Sequence, residues 1–198
     1  MDNKFVKNGY NQIAETYLEN RDSFKSLPFI DKLLEQLPSG STILDLGCGA
    51  GKPVDTYIIS KGYRVIGLDI SEKQISLAQK LVPEGEYQVQ DLSTLQPKQF
   101  SVDAIVSFYA IFHTSRETHA ELFKMLKTYL PKKGLLLVTM GASDWEGTED
   151  FHGVDMSWSH YDAETNASII EDAGFNIIFQ KIDTSGDEKH LVVLAEAT

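Results

Sequence analysis

The chain reads as short apolar runs set between stretches of helical periodicity. In residues 1–38 the apolar positions Ile13, Tyr17, Phe24, Ile30, Leu33, Leu34 and Leu37 recur at roughly helical spacing. That spacing predicts two short helices with a break near Pro28. From Thr42 the texture changes: the apolar run TILDL meets the glycine cluster GCGAG and then a helical stretch, PVDTYIISKG. RVIGLD is a second strand and leads into SEKQISLAQKLV, where Ser71 is a natural helix cap and Ile75, Ala78 and Val82 form an apolar stripe. EYQVQD is a third strand, followed by a polar connection with Pro97. VDAIVSF and GLLLVTM are two more, separated by an amphipathic helix around ETHAELFKMLKTYL that stops at PKKG. Residues 141–161 read as a long irregular connection. AETNASIIEDAG is a last helix ending at Gly174, and FNIIFQKI and KHLVVLAEA are closing strands joined by DTSGDE.

Strands and helices alternate five times in this pattern. Such alternation implies an α/β fold, a doubly wound parallel sheet with helices on both faces. The last strand follows its predecessor through only a hairpin, so it runs antiparallel. In sheets of this kind ligands bind at the carboxyl ends of the strands, where the strand order reverses.

Composition narrows the partners. A chain of 198 residues, 42% hydrophobic and 24% charged, fits one domain spanning 1–198 that needs no disulfide or structural metal. Its net charge of -11 supplies no basic surface to recruit phosphates, so neither nucleic acid nor an anionic membrane is expected as a partner. The single cysteine, Cys48, excludes an intramolecular disulfide and a multi-cysteine zinc site. No apolar run approaches the ~20 residues of a membrane span, and the N-terminus lacks the apolar core of a signal peptide. A cytoplasmic protein is expected.

The strongest chemical signal is Asp45-Leu46-Gly47-Cys48-Gly49-Ala50-Gly51. Alternating glycines let a backbone pass close beneath a ligand. A dinucleotide fingerprint would need glycine where Lys52 stands, and a phosphate loop fails on its spacing and on Pro53. Asp45 also repels a pyrophosphate and attracts an ammonium group. Asp69 closes the second strand, where an acid accepts hydrogen bonds from ribose hydroxyls or caps the following helix. Asp91 closes the third, where a carboxylate accepts from an adenine amino group or caps a loop.

These features resemble the class I S-adenosylmethionine-dependent methyltransferases. The resemblance rests on the D-x-G-x-G-x-G loop, on Asp69 and on the triplet Gln90-Asp91-Leu92, and it covers nearly the whole chain. It implies a Rossmann-like sheet of seven strands with the last inserted antiparallel, and S-adenosylmethionine as cofactor. The loop (Asp45, Gly47, Cys48, Gly49, Gly51) would approach the methionine moiety, Asp69 with Ile70 the ribose, and Asp91 with Leu92 the adenine. GYNQIAETYLEN is similar to the family's covering helix, which makes Tyr10 and Tyr17 cofactor-side or core residues.

Methyl transfer is an in-line displacement that needs alignment and exclusion of water. The acceptor would then lie beyond the fourth strand, where by position Ser107 and Phe108 border the cofactor and Phe108 also faces the acceptor. The resemblance lets His113 face it as a base, the alternative being a packing or capping histidine. No histidine pairing suggests a metal. The connection 141–161 is rich in aromatics where disorder would deplete them. It is expected to fold over the strand ends as a lid, with Trp145, His152, Met156, Trp158, His160 and Tyr161 on the acceptor side. The expected reaction is methylation of a small, partly apolar molecule. The competing reading is a non-catalytic module that binds the cofactor and uses the aromatic segment for a partner or regulatory ligand.

Overall fold

A computed structural model describes residues 3–19, 25–185 and 189–198. Two expectations touch residues outside that set: Phe24, and part of the DTSGDE loop.

The sheet is built from β1 (Thr42–Leu46), β2 (Arg64–Asp69), β3 (Glu86–Val89), β4 (Ala104–Ser107), β5 (Leu135–Gly141), β8 (Phe175–Asp183) and β9 (His190–Ala197). Their order is β3-β2-β1-β4-β5-β9-β8, with β9 antiparallel to both its neighbours. This is the expected seven-stranded, mostly parallel sheet with one antiparallel strand. The order reverses between β1 and β4, so a crevice opens at their carboxyl ends.

Both faces of the sheet are covered, and successive strand residues divide between them. Leu44, Ile105, Leu136 and Val138 pack with Leu122, Phe123 and Leu126 of α5 (His119–Lys127) and Ile170 of α6 (Ala163–Asp172). Ile43, Ala104, Val106 and Leu137 pack on the other side with α2 (Leu27–Leu34) and α3 (Val54–Ser60). Full burial on both faces is why β4 and β5 are almost continuously apolar.

Local signals explain the helix ends. Ser71 caps α4 (Glu72–Leu81) by accepting from the Gln74 N–H at 3.1 Å. Asp162 caps α6 through the Thr165 N–H at 2.8 Å. Gly174 follows α6 with φ +93°, a conformation that glycine adopts without strain.

Three expectations are corrected. The N-terminal segment forms two helices, the second beginning at Leu27 beside Pro28 as expected, but the first is not short. Its first helix, α1 (Asn3–Glu19), is 17 residues long, and Pro28 lies in the first turn of α2, where its missing N–H costs nothing. One of the five crossovers carries no α-helix: β3 and β4 are joined through a 3-10 turn over Leu92–Thr94. Finally, 141–161 is not irregular. It forms an antiparallel hairpin, β6 (Trp145–Phe151) and β7 (Val154–His160), as a separate two-stranded sheet. His152 and Gly153, at φ +55° and +82°, supply the paired left-handed residues that a two-residue hairpin turn demands.

The hairpin packs on α1. Met156, fully buried, meets Val6 and Ile13, and Gly9 lets the two backbones approach: a Cβ on Gly9 would lie 2.8 Å from the Met156 methyl carbon.

Candidate active site

A cleft of about 810 Å³ of empty space, open to solvent on one side, lies at the carboxyl ends of β1, β2, β3 and β4 under the cover of α1. Its floor is the glycine loop. Gly47, Gly49 and Gly51 all have positive φ, at +78°, +55° and +74°. The Gly47 and Cys48 N–H groups donate to the Leu68 carbonyl at 2.7 and 3.0 Å, tying the loop to β2. A Cβ on Gly47 would sit 2.2 Å from that of Ala110, so the loop leaves room for the Ala110 methyl group only because residue 47 has no side chain.

Asp69 is both a cap and a wall. Its carboxylate accepts from the Gly49 N–H at 2.9 Å and the Ser71 N–H at 2.8 Å while lining the cleft. Burial pushes its pKa up to about 6, against the lowering effect of those backbone donors. Asp91 caps its 3-10 turn through the Ser93 N–H and also accepts from the Asn3 side-chain amide at 3.0 and 2.9 Å. The first turn of α1 is therefore fastened to the end of β3. Further along, Asn11 accepts from the Ser71 hydroxyl and donates to Glu72, so the same helix is also fastened to α4.

The other wall is aromatic. Tyr10, Tyr17, Phe108, Tyr109 and His113 line it. His113 sits in a 3-10 turn, Ile111–His113, just beyond β4. Its Nδ1 lies 2.8 Å from the Ser157 carbonyl of β7 and its Nε2 lies 2.9 Å from the Tyr10 hydroxyl. A carbonyl can only accept, so Nδ1 carries the hydrogen. In the neutral ring Nε2 is then a lone pair, and Tyr10 donates to it. Tyr109 adopts φ +59°, its N–H donating to Thr139 Oγ1 at 2.6 Å and its hydroxyl paired with Ser26 at 2.9 Å.

The structure brings together Tyr10, Tyr17, Gly47, Cys48, Gly49, Asp69, Ile70, Asp91, Leu92, Phe108 and His113 around one cleft. The remaining expected site residues do not line it. Asp45 is buried at the end of β1 and Gly51 at the far end of the loop, both outside the lining, and Ser107, fully buried, donates to the Leu46 carbonyl at 2.9 Å, locking β4 to β1. Of the hairpin residues, none lines the cleft. Met156 and Trp158 back α1 and the His113 ring from behind. His152 is at the exposed turn beside Tyr17, and His160 donates from Nδ1 to the Ser143 carbonyl. Trp145 is half-exposed, and Tyr161 lies under the Arg116 guanidinium. The hairpin forms a second layer because α1, taken as a full helix, already occupies the position nearest the ligand.

Sequence reasoning missed Asn3, Lys52, Gln74, Tyr109 and Thr114 as lining residues. One signal was available: Asn3, Val6, Tyr10, Ile13 and Tyr17 recur at alternating three- and four-residue steps, the face of one long helix.

The residues fit S-adenosylmethionine. The side-chain-free floor, an acid at the end of each of β2 and β3, and a buried, unpaired Gln74 amide in the lining together suit an adenosyl ligand without phosphates. Cys48 is no competing nucleophile. Burial and then the Asp55, Asp69 and Asp45 carboxylates push its thiol well above the ordinary range.

Comparison with known proteins agrees with that geometry. Residues 43–134 match a family model described as a methyltransferase domain. The chain is 31% identical over 149 residues to a tRNA (carboxymethyluridine(34)-5-O)-methyltransferase of Arabidopsis thaliana, an alignment covering 75% of this chain and 35% of that protein. The chain thus spans about a third of that relative's length. An S-adenosylmethionine-dependent methyltransferase from Methanosarcina mazei superposes with a TM-score of 0.74 at 20% identity, covering 86% of this chain and 97% of the other. The 1,6-didemethyltoxoflavin-N1-methyltransferase of Burkholderia thailandensis, solved with 1,6-didemethyltoxoflavin and S-adenosylhomocysteine bound, gives 0.74 at 17% identity, covering 96% and 84%. The chain carries a methyltransferase domain, matched from β1 to the turn before β5, on the fold shared by solved S-adenosylmethionine-dependent methyltransferases, in line with the resemblance to their class I.

Proposed function

We propose that this chain methylates a small, partly aromatic acceptor that gives up a proton, with Tyr10 in contact with the acceptor and His113 as the base behind it. The observation that carries this reading is the chain of hydrogen bonds from Tyr10 through His113 to the Ser157 carbonyl, on a wall of the same cleft that holds the glycine loop and Asp69. Bound S-adenosylmethionine supplies an electrophilic methyl group on a sulfonium. Glycine-loop backbone and Asp69 hold and orient the adenosyl ligand, while Phe108, Tyr10 and α1 exclude water from the aromatic wall. As the acceptor O–H or N–H becomes acidic during attack, Tyr10 takes its proton and passes its own to His113 Nε2. The Ser157 carbonyl keeps Nδ1 protonated, so the ring is an imidazolium afterwards.

Charge favours a small acceptor over a tRNA. The net charge is -11, and the hairpin rim exposes Glu149, Asp150 and Asp155. Arg116, which reaches the base of the hairpin, is already paired with Asp144 and Glu146. A phosphate backbone would meet repulsion there. The tRNA reading is supported by relatives from Arabidopsis thaliana, Mus musculus and Saccharomyces cerevisiae, all named as tRNA (carboxymethyluridine(34)-5-O)-methyltransferases, and among the described residues no helix is long and apolar enough to cross a membrane.

The test is formation of S-adenosylhomocysteine from S-adenosylmethionine with two acceptor sets, one of phenols, heteroaromatic N–H compounds and amines, the other bulk tRNA lacking modification. Turnover with the first set and none with tRNA supports the reading. Turnover with tRNA alone overturns it. Cofactor binding without turnover in either set makes the chain a non-catalytic binding module.

A further inference from the structure

The Ser157 carbonyl that fixes the His113 ring belongs to β7, so His113 is only as well placed as the hairpin is. The hairpin has one anchor on α1, where Phe151, Val154, Met156 and Trp158 pack with Val6 and Ile13. Its base, where Trp145 pairs with His160, is outside that apolar cluster. Something else must hold it.

Arg116 occupies that place. It lies three residues after His113, and its side chain, 24% exposed, gathers both ends of the hairpin. The guanidinium meets Asp144 Oδ1 at 3.0 Å, ahead of β6, and Glu146 Oε2 at 3.1 Å, within it. It also lies 5.1 Å from the ring centre of Tyr161, just past β7. Glu117, beside it in the chain, is farther away at 3.9 Å. The main-chain N–H of Arg116 donates to the Ser159 hydroxyl at 3.0 Å, and that hydroxyl donates on to Glu146 at 3.1 Å. Ser159 is only 1% exposed and stands opposite Glu146 in the ladder. Exposed ion pairs by themselves are worth little. This set differs, because a buried hydroxyl joins backbone to carboxylate and one planar cation reaches two acids and a ring, a geometry that a lysine ammonium does not reproduce.

Ser159 is two residues from Ser157, about 7 Å along a strand. The segment that carries His113 therefore grips β7 at two neighbouring points, the ring on the Ser157 carbonyl and Arg116 on Ser159. In water a histidine ring prefers its hydrogen on Nε2, and here the carbonyl opposite Nδ1 reverses that preference. We propose that Arg116 is a positioning residue for His113: it holds the β6–β7 hairpin where Ser157 keeps Nδ1 protonated and leaves Nε2 open to Tyr10. The consequence for turnover rests on the reading of His113 as the base, while the placement itself is tested without an acceptor.

The experiment is nitrogen NMR of the ligand-free chain with isotope-labelled histidine at about pH 8, where the ring is neutral. In wild type the His113 signals, identified by their loss in His113→Asn, should show a protonated Nδ1 and a bare Nε2. Arg116→Gln, which keeps the main-chain bond and removes the cation, should turn that single state into a mixture of both tautomers. Arg116→Lys should restore part of it. Asp144→Asn combined with Glu146→Gln, which leaves the His113 segment untouched, should give the same mixture. With an acceptor from the phenol and heteroaromatic set, turnover by Arg116→Gln should fall by up to about a hundredfold, at unchanged affinity for S-adenosylhomocysteine. A lower melting temperature with the wild-type tautomer, in Arg116→Gln and in the double variant, overturns the inference and makes Arg116 a structural clamp only. If Arg116→Gln does not fold, the double variant decides by the same signal. A lost tautomer with full turnover supports the positioning role and overturns instead the reading of His113 as base, so the two failures are told apart.

Discussion

The two halves of the cleft are built in opposite ways. The half proposed to hold the adenosyl ligand comes from short contiguous pieces: a glycine loop after β1, Asp69 at the end of β2 and Asp91 after β3, each fixed by backbone bonds within a few residues or to the adjacent strand. The aromatic half is assembled from segments far apart in the chain. Tyr10 reaches His113 across 103 positions, and His113 reaches Ser157 across 44. The first half is stiff because its conformation is dictated locally. The second depends on α1, the turn after β4 and the β6–β7 hairpin all docking together. Binding should therefore follow the first half and chemistry the second.

The largest expected break in that division is at His113. His113→Ala should lower turnover of an accepted substrate by about 10²–10⁴, the range for loss of a general base. Affinity for S-adenosylhomocysteine should stay within about twofold, and Tyr10→Phe should show the same split. An equal loss in affinity would mean that the two halves are one unit. Steady-state kinetics beside calorimetry separate these outcomes.

Gly47→Ala tests the opposite side. Its Cβ would enter the Ala110 side chain, and its φ of +78° strains any side chain. Overpacking and backbone strain at about 1–3 kcal/mol each should cut cofactor affinity by about a hundredfold. Affinity held within threefold would show that the loop tolerates a side chain and is not the floor.

A smaller effect concerns pH. Burial raises the folded pKa of Asp69 to about 6 from an ordinary 3.8. A carboxyl raised in this way binds its proton more tightly in the folded chain, so its contribution to stability is fully present below about pH 4 and is lost as pH rises through 6. Asp69→Asn removes that dependence. Relative to wild type, the ligand-free variant should be more stable at pH 7.5 than at pH 5.5, by about 1 kcal/mol at most. Thermal melts of both chains at the two pH values check this, and a difference independent of pH would mean Asp69 is ionised throughout.

The same contrast decides what was legible in the sequence. The strands and the mostly parallel sheet could be read because periodicity and connection length are local marks, and the glycine loop and strand-end acids that line the cleft because their spacing is local too; the count of seven strands came from the family resemblance. The hairpin was hidden because β6, WEGTEDF, is almost wholly exposed and polar, so no apolar alternation announces it. Trp145, His160 and Tyr161 were assigned to the acceptor by composition, whereas distance along the hairpin carries them away from the cleft. Ser107 and Asp45 were near the ligand in sequence and one layer beneath it in space. Gln74 looked like an ordinary polar position on a helix, and only burial without a partner distinguishes it.

Gly9, in the middle of α1, has a practical consequence for anyone stabilising this protein. Helix propensity recommends alanine there, with a gain of about 1 kcal/mol. Yet the added carbon would fall 2.8 Å from the Met156 methyl carbon, so that fully buried side chain would have to shift within the helix–hairpin interface. Gly9→Ala should therefore lower the melting temperature and turnover together, while Gly9→Ala combined with Met156→Ala should recover part of both. The helix keeps a residue that weakens it in isolation, because a notch in its surface is what gives the hairpin a place to seat.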